Sequence, residues 1–270
     1  MILPHNIDLA NSQKYVLSIR LAPNGFSFSI YSPTDLSIFF YKEVKFNNSQ
    51  TYIENIKKVF FEVNLFTQPY NKILITTVTP RYTIIPNEYF DKSKQKDFFN
   101  FNFGVNNNKI LDDNLSAVDS HLLYEIDNEV FSFLSRNLWN PAYQNSITSL
   151  LSEFKEHESD KYERRCFVEF HDKMLSIICF NKSELLVAKT TAVEDSYEAI
   201  YIIANTWETL KLDQNSDILF LSGDLSSYDE VGNVLKQLIK HIAIFEIATP
   251  TSINNLGDYY PTDFILQLCE

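Results

Sequence analysis

One pattern of predicted elements occurs twice along the 270-residue chain. In its first copy, YVLSIRLAPNGFSFSIY (15–31) alternates as two strands around a predicted Asn24-Gly25 turn. LSIFFYKEVKF (36–46) predicts a third strand, and the apolar spacing in 49–66 predicts an amphipathic helix. The run KILITTVTP (72–80) is typical of a strand that is buried on both faces.

The second copy begins at RCFVEFHDKMLSIICF (165–180), which predicts two strands around a polar bend at His171, Asp172 and Lys173. A third strand (ELLVAKTTA), a helix over 196–210 and a strand over 217–223 follow. An offset of 149 residues (165 − 16) places 16–31 on 165–180 without a gap. The chain is therefore predicted to contain two related α/β lobes, each built from three strands, a helix and a further strand.

The remaining segments predict the domain boundaries. Residues 81–126 suggest a strand, a helix and two further strands, and helices are expected over 128–139 (opened by an Asn cap), 146–163 and 227–241. The charged end of the 146–163 helix is the best candidate for a linker. We expect an N-terminal arm (1–14), a first lobe (15–162) with an inserted segment at about 81–145, and a second lobe (163–270).

Composition argues against several functional classes. A formal charge of −12 with only short basic clusters disfavours nucleic-acid binding, which depends on grouped Lys and Arg. Five glycines supply little material for a phosphate-binding loop. Three cysteines without metal-like spacing fit reduced thiols in the cytoplasm. No secretory signal, membrane span or zinc motif is predicted.

A duplicated unit of this kind, with an insertion in its first copy, resembles the actin, sugar kinase and Hsp70 superfamily, whose halves are ribonuclease H-like. The stretches SIRLAPNGFSFSIY, TTVTPRYTIIPNEYF and LFLSGDLS are similar to a bacterial domain-of-unknown-function family within it. Actin-like pilus-assembly and cell-division proteins are more distantly similar. The resemblance covers 15–247 and implies two lobes, each with a mixed five-stranded sheet and flanking helices.

The resemblance also implies where a nucleotide site would lie. Each half of an active member opens with Asp-x-Gly at its first bend, where the carboxylate positions Mg²⁺ or the attacking water. The first bend here has Arg20, Leu21 and Ala22, and Pro23 lacks an N–H for phosphate. The second bend has Glu169 and His171 in place of Asp and Gly.

The late LFLSGDLS run keeps Gly223 but has Asp224 where a second glycine is expected. Because metal positioning supplies most of phosphoryl-transfer catalysis, these departures argue against ATP hydrolysis. We predict no catalytic residue and no metal site. The candidate residues for a cleft or anion-binding site are Arg20, Asn24, Glu169, His171, Asp172, Gly223 and Asp224.

Several of these residues have more than one interpretation. Arg20 is a structural cation paired with Glu169 or Asp224, an anion-binding group, or a plain surface residue. His171 is an exposed turn histidine, or a residue with a ligand or proton-transfer role in the cleft. A nuclease site formed by Glu169, Asp172 and Asp224 is a further alternative, which the acidic chain disfavours.

The sequence therefore favours a cytoplasmic, non-catalytic binding or scaffold protein that acts through protein partners. It would bind no nucleic acid, insert into no membrane and need no cofactor. The alternative is a nucleotide-binding ATPase or kinase that holds Mg-ATP with Glu169, Asp224 and the Gly223 loop.

Overall fold

We describe a computed structural model that covers residues 6–47, 49–157, 161–171, 173–225, 229–247 and 260–269. The chain forms two compact units. The first contains the residues up to Asn114 together with His121–Ser146. The second contains Leu115–Ser120 and most of the chain from Ile147 onward.

The strands and helices are numbered in chain order. They are β1 (Val16–Ala22), β2 (Gly25–Ser32), β3 (Asp35–Lys45), α1 (Tyr52–Glu62), β4 (Lys72–Thr77), β5 (Tyr82–Pro86), α2 (Gln95–Phe103), β6 (Lys109–Leu115), β7 (Ser120–Ile126), α3 (Asn128–Asn137), β8 (Ala142–Asn145), α4 (Ser146–Glu156), β9 (Arg164–His171), β10 (Met174–Asn181), β11 (Glu184–Ala192), α5 (Ser196–Thr209), β12 (Ile218–Gly223), α6 (Asp229–Leu235), β13 (His241–Ile244) and α7 (Thr262–Cys269).

Each unit is built on a mixed five-stranded sheet. The strand order is β3-β2-β1-β4-β8 in the first unit and β11-β10-β9-β12-β13 in the second. In both, the first three strands of the unit pair antiparallel. The fourth strand pairs parallel with the first, and the fifth pairs parallel with the fourth. This arrangement confirms the predicted duplicated fold.

The strand pairing reproduces the predicted offset. Ala22 pairs with Gly25, and His171 pairs with Met174, so both partners are displaced by 149 residues. The first turn consists of Pro23 and Asn24, so the predicted Asn24-Gly25 turn was wrong by one residue. Gly25 already belongs to β2, where a Cβ atom would lie 2.5 Å from the carbonyl oxygen of Val44.

Along the central strands, alternate side chains point to opposite faces of the sheet, and one of these faces is apolar. In the first unit, Leu17, Ile19 and Leu21 of β1 face a core that contains Ile56 of α1 and Leu134 of α3. In the second unit, a matching set from β9, β10 and β12 packs against Ala199, Ile203 and Trp207 of α5. The helices that follow the hairpins therefore cover the apolar face of each sheet.

The intervening region forms a separate three-stranded sheet of order β5-β7-β6. The predicted strands and helix of 81–126 are present, and Phe99 of α2 packs with Ile85, Ile110 and Leu123. The Asp127 side chain caps α3 by accepting from the N–H groups of Glu129 and Val130, so the predicted Asn cap was wrong by one residue.

Two helix predictions need correction. The helix α4 ends at Glu156, before the predicted end at residue 163, and α6 ends at Leu235, before residue 241. The start of the predicted 227–241 helix lies outside the described residues. The sequence did not predict β8 or α7. No helix in the described parts of the chain combines the length and apolarity that a membrane crossing requires.

Candidate functional site

A row of polar side chains crosses the sheet of the first unit on the face opposite the helix-covered core. Arg20 of β1 lies between Ser27 of β2 and Thr76 of β4. Glu43 of β3 continues the row beyond Ser27, and Gln144 of β8 continues it beyond Thr76. The Gln144 amide donates to the Thr76 hydroxyl over 3.4 Å. Strand alternation places Arg20 in this row because its neighbours Ile19 and Leu21 fill the core.

The second unit contains an equivalent row with the opposite charge at its centre. Glu169 of β9 lies between Ser176 of β10 and Ser222 of β12, and Thr190 of β11 continues the row. The hydroxyls of Ser176 and Thr190 are 3.0 Å apart. Glu169 is 3% exposed. Ser27 and Ser176 occupy equivalent positions, so Arg20 of the first unit corresponds to Glu169 of the second.

Arg20 is itself buried, with 5% of its surface exposed. The interpretation of Arg20 as a plain surface arginine is therefore excluded. The charge of Arg20 affects the pKa values of two tyrosines. Burial raises the pKa of Tyr41 far above its ordinary value, while the Ser27 hydrogen bond and the Arg20 guanidinium oppose this rise. Burial likewise raises the pKa of Tyr52, and Arg20 again opposes it. Pairing of Arg20 with Glu169 or Asp224 stays a prediction.

The residues at the hairpin ends differ in exposure. Asn24 is exposed in the first turn, whereas His171 ends β9 with 6% of its surface exposed. The alternative of an exposed turn histidine is therefore wrong. Asp172 lies outside the described residues, so the proposed carboxylate group of Glu169, Asp172 and Asp224 is not described as a whole.

Gly223 ends β12 in a backbone conformation that only glycine adopts easily. Its φ is +83°, and an added Cβ would overlap the carbonyl oxygen of Phe170 on β9. The next residue, the half-buried Asp224, donates its N–H to the same carbonyl over 2.8 Å. In the first unit, Val78 donates to Leu21 over 2.8 Å, so the strand ends are built alike.

A pocket of about 240 Å³ lies within the first unit beside the first hairpin turn. It is at the carboxyl ends of the parallel strands β1 and β4, where ligands commonly bind in α/β sheets. The hydroxyl of Tyr52 closes one side by donating to the Ala22 carbonyl over 3.0 Å. The lining residues are Leu21, Ala22, Pro23, Tyr52, Thr77, Val78, Thr79, Pro80, Asn108, Glu125, Ile126, Asp127 and Val130.

Two carboxylates in this pocket already hold structural hydrogen bonds. Glu125 accepts from Arg81 and, over 2.5 Å, from the amide of Asn106. Asp127 accepts the two N–H groups at the start of α3. Thr77 differs, because its buried hydroxyl has no hydrogen-bond partner within the described residues. A bound group that hydrogen-bonds this hydroxyl would remove the cost of an unsatisfied buried polar atom.

The cysteines Cys166 and Cys179 face each other across β9 and β10 in the core, with their sulfur atoms 2.7 Å apart. Burial raises the pKa of the Cys179 thiol well above its ordinary value, which keeps it protonated and unreactive. Across the part of the chain that the structure describes, no group of three or more His, Cys, Asp and Glu side chains is placed to hold a metal ion.

The sequence did not single out Thr77, Glu125 or Asp127, although each lines the pocket. The only local signal was the Thr77-Val78-Thr79-Pro80 end of a buried strand, which marks a carboxyl edge. Glu125 reaches the same edge from β7 of a different sheet, and Asp127 follows that strand as the cap of α3. Their proximity to Thr77 depends on long-range packing and has no signature in local spacing.

Comparisons with known proteins place this geometry in a family. A crystal structure from Bacteroides thetaiotaomicron, of a protein with an actin-like ATPase fold and unknown function, is 25% identical. It has a TM-score of 0.83, over 98% of this chain and 99% of that chain. The PilM-PilN type IV pilus biogenesis complex matches with a TM-score of 0.54 at 8% identity, over 95% of each chain, which shows the fold alone.

No curated protein matches the chain. The model of the family described as "Protein of unknown function (DUF3822)" matches residues 4–242, which include both hairpins and both polar rows. The duplicated hairpins, the two five-stranded sheets and this match agree with one another. The chain is a member of the DUF3822 family and has the actin-like ATPase fold.

Proposed function

We propose that this chain is a non-catalytic actin-like binding module that acts through protein partners. The observation that carries the proposal is the charge of Arg20. In active members of the superfamily that the sequence resembles, the equivalent position in the first copy holds the Asp that organises the metal. Here it holds a buried guanidinium, which cannot lose its proton or coordinate Mg²⁺.

The hairpin ends support the same proposal. Pro23 occupies the first turn and has no N–H to offer a phosphate oxygen. In the second copy, buried His171 lies where the superfamily pattern has glycine. The PilM-PilN type IV pilus biogenesis complex matches the chain in fold, and its partnership of two proteins supports the proposed partner binding.

The pocket beside the first hairpin is the candidate partner site. Its volume of about 240 Å³ suits one or two side chains of a partner better than a whole nucleotide. Its polar groups also favour this use, because the Asp127 carboxylate would repel a phosphate and the Thr77 hydroxyl still lacks a hydrogen bond within the described chain.

The alternative is a nucleotide-binding ATPase or kinase that uses Glu169, Asp224 and the Gly223 loop. The left-handed Gly223 is the observation in its favour, because glycine lets the backbone come close to a ligand. Thermal unfolding with and without millimolar Mg-ATP separates the two functions, since a ligand at 100 times its Kd stabilises by about 2.7 kcal/mol.

We expect no shift in melting temperature with Mg-ATP, in the wild type or in Arg20→Asp, and no ATP turnover. ATP turnover that disappears in Glu169→Ala would contradict the proposal and establish the alternative.

The partner site is tested by affinity capture from cells that express the chain natively, followed by mass spectrometry. Pro23→Trp places a bulky ring at the mouth of the pocket and should reduce recovery of the specific partner at least about tenfold. Pro33→Trp is the matched control, because Pro33 is an exposed turn proline between β2 and β3. Equal recovery with both variants would remove the pocket from the proposal.

A further inference from the structure

A second pocket, of about 610 Å³, lies within the second unit, between the end of α5 and the segment that follows α6. Its apolar wall contains Ala204, Trp207, Leu235 and Leu238. Trp207 is buried, whereas 43% of the Leu238 surface is exposed at the mouth. The pocket therefore offers an apolar interior that solvent reaches without any rearrangement of the fold.

An exposed stripe of α5 leads into this pocket. Tyr197, Tyr201, Ala204 and Glu208 recur at spacings of four, three and four residues, so they share one helix face. Tyr197 is 73% exposed and Tyr201 is 69% exposed. The stripe spans about 16 Å at 1.5 Å per residue. We call these four residues, together with the pocket, the α5 face.

The α5 face is electronegative at the pocket. Glu208 and Asp213 line it, and α5 ends there with its partial negative charge. The Asp213 carboxylate accepts the N–H groups of Asn215 and Ser216, which hold its pKa below the ordinary value and keep it ionised. Lys211 is the one cation among the lining residues, and the Arg164 guanidinium donates to its carbonyl oxygen. Asp217, which accepts the N–H of Asp213, adds a third carboxylate, so negative charge predominates.

We propose that the α5 face docks a basic amphipathic segment of a protein partner. An apolar side chain of that segment would enter the pocket against Trp207 and Leu238. Its Lys or Arg side chains would lie near Glu208 and Asp213 and over the rings of Tyr197 and Tyr201.

The size and the negative charge of the α5 face favour a basic amphipathic segment over other ligands. A small molecule would fill the pocket and leave Tyr197 and Tyr201 exposed to water. An acidic segment would meet the two carboxylates and the end of α5. The inference rests on the proposed function, in that the chain acts through protein partners, but it assigns them a surface on the second unit.

The experiment uses the full chain and three synthetic helical peptides. The first carries leucines at i, i+4 and i+7 flanked by lysines; the second replaces each lysine by glutamate, and the third replaces each leucine by serine. Binding is followed in a Trp139→Phe background, where Trp207 is the single remaining tryptophan of the two in the sequence. Fluorescence anisotropy of the labelled peptides gives Kd.

We expect the lysine-leucine peptide to bind at least about tenfold more tightly than either of the others and to change Trp207 emission. Raising the NaCl concentration to about 0.5 M should weaken the binding of this peptide. Glu208→Lys and Ala204→Phe should each weaken it at least about tenfold. The matched controls Glu184→Lys and Ala192→Phe alter exposed residues of β11 and should leave Kd unchanged.

Equal binding of the three peptides, or equal binding to Glu208→Lys and Glu184→Lys, would overturn the proposal. So would tight binding that leaves Trp207 emission unchanged. Melting curves check that each variant is folded. Pro23→Trp should not affect peptide binding to the α5 face, so failure of the first-unit pocket and failure of this inference are distinguishable.

Discussion

The sheets of the two units share strand order and hairpin register but differ at their most polar positions. Arg20 in the first sheet corresponds to Glu169 in the second, and Thr77 at the end of β4 corresponds to Gly223 at the end of β12. Asn55 in the fourth position of α1 corresponds to Ala199 in α5. The fold therefore persists on matching apolar faces while the polar positions diverge.

This difference shows that the two units share the requirements of an apolar core but differ in what their polar positions require. A strand needs alternate apolar residues to fill a core, and both units supply them. A buried charge, a left-handed glycine or a buried amide is tolerated only where neighbouring groups accommodate it. Substitutions at corresponding positions of the two units should therefore have unequal effects on stability.

The largest difference is expected between Gly223→Ala and Thr77→Ala. Gly223→Ala places a Cβ atom against the Phe170 carbonyl oxygen, at a residue whose φ is +83°. It should lower the free energy of unfolding by more than about 3 kcal/mol. The second removes a hydroxyl that has no partner among the described residues and should cost less than about 1 kcal/mol. Urea denaturation measures both, and similar losses would show that the strand ends are equivalent after all.

Arg20→Met and Glu169→Gln test the two buried charges. Each removes a charge that the folded chain accommodates at 5% exposure or less, so we expect losses of about 2 to 3 kcal/mol in thermal or urea unfolding. Unchanged stability in either variant would contradict a structural role for that charge. Ser18→Ala, a smaller change on the Arg20 face of β1, serves as the control and should cost less.

Asn55→Ala should cost about 2 kcal/mol, because the Asn55 amide donates to the carbonyls of Asn47, Gln50 and Thr51 and accepts the N–H of Asn47. These bonds hold the turn between β3 and α1. The reciprocal change, Ala199→Asn, buries an amide in the apolar core beneath α5 and should also destabilise. Tolerance of Asn at 199 would show that the two helix starts are interchangeable.

The helix caps should give the smallest and most equal effects. Thr51 accepts the N–H of Glu54 in α1, and Asp195 accepts the N–H of Glu198 in α5. Replacing either cap by alanine should cost about 1 kcal/mol, measured as the shift of the denaturation midpoint. A clear inequality between Thr51→Ala and Asp195→Ala would show that the two helices contribute differently to their units.

The fold could be predicted because its signals are local. Alternation in 16–22 and 165–171 marked the hairpin strands, and helical spacing marked α1 and α5. Prediction failed for the four-residue strand β8, which lacks an apolar pattern and is defined by its pairing with β4. The cap of α3 was placed on Asn128 instead of Asp127, since both residue types favour that position.

The candidate site could be predicted only in part. The superfamily resemblance singled out Arg20, Glu169 and Gly223 through their place in the repeat, and the structure places all three at the centre or end of a strand. The pocket beside the first hairpin was not predicted. Thr77 and Glu125 lie on different sheets, and no spacing in the sequence joins them.

By itself, the sequence determined the two copies, the hairpin offset and the apolar face of each central strand. Strand alternation and helical periodicity are properties of consecutive residues, so they can be read without knowing the partners. Only the tertiary structure decided that Arg20 and His171 are buried, that Gly223 meets Phe170, and that a stripe of α5 opens into a pocket. Burial and shape arise from contacts between residues far apart in the chain, which local patterns do not encode.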